Sequence, residues 1–71
     1  MARVRVAIIG AGFIGGVHAT AARAAGATVT GIADHQLERA RSLQERVGAE
    51  RATESAEDLI ESPDVDIVHK D

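Results

Sequence analysis

A chain of 71 residues is long enough for one small domain or for part of a larger one. It has no cysteine, which excludes disulfides and thiolate metal sites, and its net charge of −3 argues against nucleic acid, which favours a basic surface. No apolar run approaches the length of about 20 residues that a membrane-spanning helix needs, and the amino-terminal residues lack the apolar stretch of a signal peptide. We therefore expect a cytoplasmic protein with no nucleic-acid or membrane partner.

Strand and helix signals alternate along the chain. In order they predict a strand at Arg3 to Ile9, a helix at Phe13 to Ala25, a strand at Ala27 to Ala33, a helix at about Gln36 to Val47, a short edge strand at Ala49 to Thr53, a helix through Leu59 and Ile60, and a last strand opening at Val65 to Val68. This order, β-α-β-α-(β)-α-β, specifies an α/β fold with a doubly wound parallel sheet of three to four strands. It predicts a partial Rossmann fold.

Helix ends and helix faces are also marked in the sequence. Gly26 and Gly48 are the predicted stops of the first two helices, and Ser55 to Asp58 resembles a capping box for the third. Apolar residues at helical spacing predict the faces that pack on the sheet. They are Ile14, Val17, Ala21 and Ala25 in the first helix, and Leu37, Ala40, Leu43 and Val47 in the second.

The turn after the first strand has the pattern G-x-G-x-x-G, formed by Gly10, Gly12 and Gly15. In a dinucleotide site the first glycine permits the tight turn, the second lets the pyrophosphate approach the backbone, and the third lets helix and strand pack closely. Phe13 and Ile14 complete this turn at the start of the helix, where free N–H groups favour phosphate. A glycine-rich turn that binds FAD or S-adenosylmethionine is the alternative.

Asp34 ends the second predicted strand at the distance from the glycines that a ribose-binding acid occupies. Its charge would repel a 2′-phosphate, which favours NAD over NADP as the cofactor. Capping of the second helix is a second role open to Asp34, and the two are compatible. His35 follows it as a predicted solvated loop residue that, if protonated, would soften discrimination against NADP.

The other two histidines show no pattern that is typical of a catalytic or metal-binding site. His18 is predicted to be a surface residue and His69 a strand residue, and we expect neither to converge with a second titratable group. Their spacing does not suggest a metal site, and no serine or threonine is paired with a base. The residues alone therefore predict cofactor-binding positions but neither catalytic nor metal-binding ones.

The sequence resembles the amino-terminal part of the Gfo/Idh/MocA oxidoreductases in four features. These are the glycine turn with His18, the stretch "GIAD" ending at Asp34, the pair Arg39-Ala40 and the stretch "SPDVDIV". The resemblance covers residues 3 to 68. It implies a protein that moves hydride between nicotinamide and a sugar-like or polyol substrate. In the family the nicotinamide-facing loop, the catalytic lysine motif and the substrate domain all follow this region.

Two expectations follow from the resemblance. Residues 1–71 form a partial dinucleotide-binding domain without the substrate domain, so a small-molecule substrate belongs only to the full-length family and this chain alone has no catalytic residue. Lys70 and Asp71 fall where the family strand stays apolar and buried, which indicates a truncated enzyme whose last strand frays into water or self-associates through an open edge. A stand-alone nucleotide-binding or sensing module and a non-functional remnant are the alternatives.

Overall fold

The computed structural model describes residues 3–70, in which strands and helices alternate. In chain order the elements are β1 (Arg5–Ile9), α1 (Phe13–Ala24), β2 (Thr28–Ala33), α2 (Leu37–Val47), β3 (Arg51–Thr53), α3 (Ala56–Ile60) and β4 (Ile67–Lys70). The strands form one parallel sheet in the order β3-β2-β1-β4. The α/β, partial Rossmann prediction is confirmed, with four strands.

Each face of the sheet carries its own apolar cluster, because side chains alternate along a strand. Val6 and Ile8 of β1 face the side covered by α1 and α2, where Ile32 and Leu43 join them. Ala7, Ala33 and Leu59 form the smaller cluster on the other side, under α3. β1 lies inside the sheet with helices over both faces, as its continuous apolar run predicts.

The sheet-facing surface of α1 differs from the prediction. Ile14 and Val17 are about half exposed, and Ala21 and Ala25 are also exposed. The buried residues are instead Gly15 and Ala19, with Ala22 packed against the same cluster. This face recurs at helical spacing too, and its small side chains let the helix axis approach the sheet. For α2 the predicted face is confirmed, since Ala40, Leu43 and Val47 are buried and Leu37 is partly buried.

The predicted helix ends are found largely where the sequence marks them. Gly26 and Gly48 follow α1 and α2 with positive φ angles. The Ser55 side chain accepts a hydrogen bond from the Asp58 backbone N–H at 3.3 Å, which is the forward half of the capping box. The Ser55 N–H donates to the Thr53 hydroxyl at 3.0 Å, where the reverse half of a capping box would use the side chain of residue 58.

The last strand lies further along the chain than predicted. Val65 and Asp66 precede it, because the Asp66 carboxylate accepts hydrogen bonds from both the backbone and the guanidinium of Arg5, and this holds the entry loop against the start of β1. β4 then includes His69 and Lys70, which pair with Ile8 and Ile9. Because β4 is an edge strand, Lys70 is exposed rather than buried on both faces. Asp71 lies outside the described residues.

Candidate functional site

The glycine turn joins β1 to α1 at the carboxyl edge of the sheet. Gly10 has a φ angle of 102°, a left-handed conformation that favours glycine, and its N–H donates to the Ala33 carbonyl at 2.7 Å. Gly12 is the N-cap of α1, and no side chain caps the helix there. The first-turn N–H groups of a helix have no partners within it, so the turn presents donors toward solvent at the end of β1. Such an arrangement suits a negatively charged group.

The remaining predicted site residues on α1 differ in their burial. Gly15 is buried against the sheet, as expected of the glycine that permits close helix–strand packing. Phe13 is 84% exposed and Ile14 is 53% exposed, so both present apolar surface beside the turn. Large exposed apolar side chains next to a polar turn are able to cover a bound ligand from one side.

Asp34 lies directly against the glycine turn. Its Oδ2 accepts a hydrogen bond from the Ala11 backbone N–H at 2.9 Å, and its Oδ1 accepts one from the Gln36 backbone N–H at 2.8 Å. The N-cap of α2 is Gln36, so Asp34 orders the loop before this helix but is not its cap. The structure therefore brings the predicted acid and the predicted turn together, because β1 and β2 are neighbouring parallel strands that end at the same edge.

The surroundings of Asp34 keep its carboxylate ionised. Burial raises its pKa, but the hydrogen bonds from Ala11 and Gln36 and the positive charges of Arg39 and His35 outweigh burial, so that the pKa lies below its ordinary value. Only 9% of the side chain is exposed. A fixed, charged and largely desolvated acceptor is well suited to the hydroxyl groups of a ribose.

Arg39 was assigned no role by the sequence. Its Nη2 lies 3.6 Å from Oδ2 of Asp34, and a Cβ built on Gly12 would lie 3.0 Å from the same nitrogen. The Arg39 guanidinium therefore lies between the Asp34 carboxylate and the glycine turn. Arg39 lies five positions after Asp34, but only the side-chain conformation brings its guanidinium back over Gly12.

A cavity of about 240 Å³ opens beside these groups at the carboxyl ends of the strands. Its lining combines main chain and small side chains with acidic and imidazole groups: Ile9, Gly10, Ala33, Asp34, His35, Glu54 and Ala56. The carboxyl edge of an open parallel sheet is where α/β proteins bind ligands. Sequence reasoning did not single out Glu54, and its position just after β3 is the signal that could have found it.

His18 and His69 contradict the expectation that no histidine meets another titratable group. Their rings lie 3.7 Å apart between centroids, tilted by 46°, and both side chains are half-buried. His18 is therefore not the surface residue predicted, because β4 runs beside β1 and its His69 ring packs against the ring of His18. Within residues 3–70, no group of three or more His, Asp or Glu side chains is arranged to hold a metal ion. In the same residues no helix is sufficiently long and apolar to span a membrane.

A parallel sheet of order 3-2-1-4, a glycine turn after β1 and an acid after β2 define a dinucleotide-binding fold of the Rossmann class. Residues 4–69 match the oxidoreductase family with an NAD-binding Rossmann fold designated GFO_IDH_MocA. The chain belongs to this family. Among curated protein sequences, none matches the chain.

Solved structures support the same assignment. An NAD-binding oxidoreductase from Klebsiella pneumoniae is 30% identical with a TM-score of 0.88, over 99% of this chain and 21% of that one. A probable dehydrogenase from Thermotoga maritima is 35% identical with a TM-score of 0.86, over 94% and 20%. The myo-inositol dehydrogenase from Lactobacillus casei, in complex with NAD(H) and myo-inositol, is 25% identical with a TM-score of 0.88, over 99% and 22%. The chain thus spans about a fifth of the length of these relatives.

Proposed function

We propose that this chain binds the adenosine diphosphate half of NAD at the carboxyl edge of its sheet. The observation that carries the proposal is the hydrogen bond from the Ala11 N–H to the Asp34 carboxylate, at 2.9 Å. It fixes the ribose-binding acid at the glycine turn, so one ligand can contact both. Relatives crystallised with NAD or NADH are consistent with this choice of cofactor.

Each predicted site residue has a distinct part in this proposal. Gly10 makes the turn, Gly12 leaves the backbone open to the pyrophosphate, and Gly15 holds α1 close to the sheet. The free N–H groups at the start of α1 bind the phosphates, while Phe13 and Ile14 shield them from one side. Asp34 accepts hydrogen bonds from the adenosine ribose.

Calorimetric titration of the 71-residue chain with NAD tests the proposal, with the Gly12→Val variant as its control. A Cβ at Gly12 already meets the Arg39 guanidinium, and the larger valine side chain would block the approach of a pyrophosphate. We expect heat of binding for the wild-type chain and none for the variant, with both chains folded by circular dichroism. Equal binding by the two would contradict the proposed site.

The family relationship also supports a wider proposal for the whole protein. Its relatives include dehydrogenases of sugars and polyols, such as the inositol enzyme, so we propose that residues 1–71 are part of the dinucleotide-binding domain of a hydride-transferring enzyme. A nucleotide-binding module without catalysis is the alternative. An assay of NADH formation with inositols and aldoses tests whether residues 1–71 catalyse hydride transfer by themselves. We expect no NADH formation from this chain alone. If the chain did form NADH, and the Gly12→Val variant did not, a catalytic group would have to lie within residues 1–71.

Self-association is the remaining proposal about partners. β4 forms one edge of the sheet, and Ile67 on it is 52% exposed. Open strand edges pair with other chains. Sedimentation velocity over a range of concentrations tests this, and a monomer at every concentration would contradict it.

The cytoplasmic location stays a prediction from sequence.

A further inference from the structure

An open groove of about 710 Å³ runs between α1 and α2. Away from the glycine turn its lining consists mainly of small and apolar side chains: Val17, Thr20, Ala21, Ala24, Arg46 and Val47. None of the described residues that line it is acidic, and α1 itself contains no Asp or Glu. The groove is thus an apolar surface free of negative side chains, in a chain whose net charge is −3.

Two arginines lie at the end of the groove where both helices finish. Arg46, in the last turn of α2, lines the groove directly. Arg23, in the last turn of α1, reaches toward the end of α2, because a Cβ on Gly48 would lie 3.4 Å from its Nη1. Both side chains are exposed. This end of the groove therefore combines apolar contact surface with positive charge.

A surface of the opposite character lies on α3 of the same chain. Ile60 is 50% exposed, and the exposed side chains of Glu57 and Glu61 lie one turn apart on either side of it in sequence. Residues 54–66 include several Asp and Glu residues and no Lys, Arg or His. An apolar side chain bordered by carboxylates is complementary to an apolar groove bordered by guanidinium groups.

These two surfaces cannot meet within one chain. The core cluster on one face of the sheet lies under α1 and α2, whereas the cluster on the other face lies under α3. A contact between groove and α3 therefore joins two copies of the chain. Because the two contacting surfaces differ, each copy keeps a second surface for a further copy, and the assembly grows head to tail unless it closes into a ring.

We propose that α3 of one copy docks in the α1–α2 groove of another copy. Ile60 packs on the apolar lining, and Glu57 and Glu61 lie close to the arginines at its end. This interface does not use the β4 edge, and it concerns a different activity from nucleotide binding. It is a second surface for self-association, with a chemistry and a direction of its own.

The test is sedimentation velocity of two charge-reversal variants, alone and mixed. Arg46→Glu reverses the charge of the groove, and Glu61→Arg reverses that of α3. Glu61 is the C-cap of α3, where a positive side chain suits the helix dipole. Arg41→Glu and Glu45→Arg are the matched controls, because they make the same charge changes at exposed positions of α2 that do not line the groove. Circular dichroism of each variant shows that it is folded.

We expect the wild-type chain and both controls to associate as the concentration rises. Arg46→Glu and Glu61→Arg should each weaken association by about tenfold or more, because like charges then face each other across the contact. Their equimolar mixture should associate again, since every contact between unlike copies brings opposite charges together.

Three results would overturn the inference. Association that is unchanged in Arg46→Glu and Glu61→Arg would assign self-association to the β4 edge alone. An equal loss in the controls, or a mixture that stays monomeric, would show an effect of net charge rather than of this contact. A wild-type chain that is monomeric at every concentration would overturn both modes of self-association and leave the proposed NAD site untouched.

Discussion

The Asp34 carboxylate accepts a hydrogen bond from the Ala11 backbone N–H across a sequence separation of 23 residues. This contact joins the end of β2 to the turn after β1. It orients the carboxylate before any ligand arrives, and binding sites whose groups are already held in place lose less conformational freedom on binding. The acid and the turn therefore act as one structural unit.

Replacing Asp34 by asparagine should weaken NAD binding and narrow the preference for NAD over NADP. The ribose hydroxyls lose a charged acceptor, which corresponds to about 1.5–3 kcal/mol of binding free energy. Asp66→Asn is the matched control, because Asp66 is also an aspartate of lowered pKa, paired with Arg5 at the start of β1. Calorimetry measures both. An Asp34 variant that keeps the wild-type preference would remove Asp34 from the site.

The lowered pKa of Asp34 predicts a loss of stability in acid. A carboxyl whose pKa is depressed by folding stabilises the protein above its unfolded pKa, close to 3.8, and this contribution is lost as the pH falls through the folded value. Urea denaturation followed by circular dichroism should show Asp34→Asn less stable than wild type by about 1–3 kcal/mol near neutral pH. The difference in the free energy of unfolding should shrink as the pH falls from the unfolded pKa of Asp34, close to 3.8, through its lower folded value. A difference independent of pH would show that the charge of Asp34 does not matter to folding.

Much of the site could be predicted from the sequence, because the sequence predicts the topology of the sheet. Neighbouring parallel strands end at one edge, so strands that finish at Ile9 and Ala33 bring the glycine turn and Asp34 together. The position of Arg39 over Gly12 depends on a side-chain conformation that no sequence pattern specifies. The contact of His18 with His69 depends on where β4 lies relative to α1.

The buried face of α1 shows why apolar pattern alone misleads in a small α/β domain. Ile14 and Val17 are more apolar than Gly15 and Ala19, and a search for apolar spacing selects them. Close contact with the sheet instead selects for small volume, which places Gly15 and Ala19 inward. The two faces have the same helical period, so only packing distinguishes them.

Two glycines provide a matched test of this packing. A Cβ on Gly31 would lie 2.5 Å from Cδ2 of the fully buried Leu59, whereas a Cβ on Gly16 would lie 3.7 Å from Cδ1 of Leu43, an ordinary contact. We expect Gly31→Ala to destabilise the chain by about 1–3 kcal/mol through overpacking. Gly16→Ala, within α1, should stabilise it by about 0.5–1 kcal/mol. Thermal unfolding measures both, and a neutral Gly31→Ala would contradict the tight packing of α3 on β2.

The N-cap of the third helix should contribute measurably to the free energy of unfolding even though α3 is short. Ser55→Ala removes the acceptor for the Asp58 N–H, and we expect a loss of about 0.5–2 kcal/mol in the free energy of unfolding. Ser42→Ala, at an exposed position within α2, is the control and should be nearly neutral. Equal effects of the two substitutions would show that α3 does not depend on its cap.

The central claim is that NAD binds at the carboxyl edge of the sheet, and amide chemical shifts test it most directly. In a ¹⁵N-labelled chain of 71 residues, each backbone N–H near the ligand reports separately. We predict that added NAD shifts the amides of residues 10–16 and 33–36 most strongly, with Ala11 and Gln36 among them because their N–H groups bond to Asp34. The Gly12→Val variant should show no such shifts. Shifts confined to the groove between α1 and α2 around Ala24 and Val47, or to the amino edge around Arg5 and Asp66, would contradict the account.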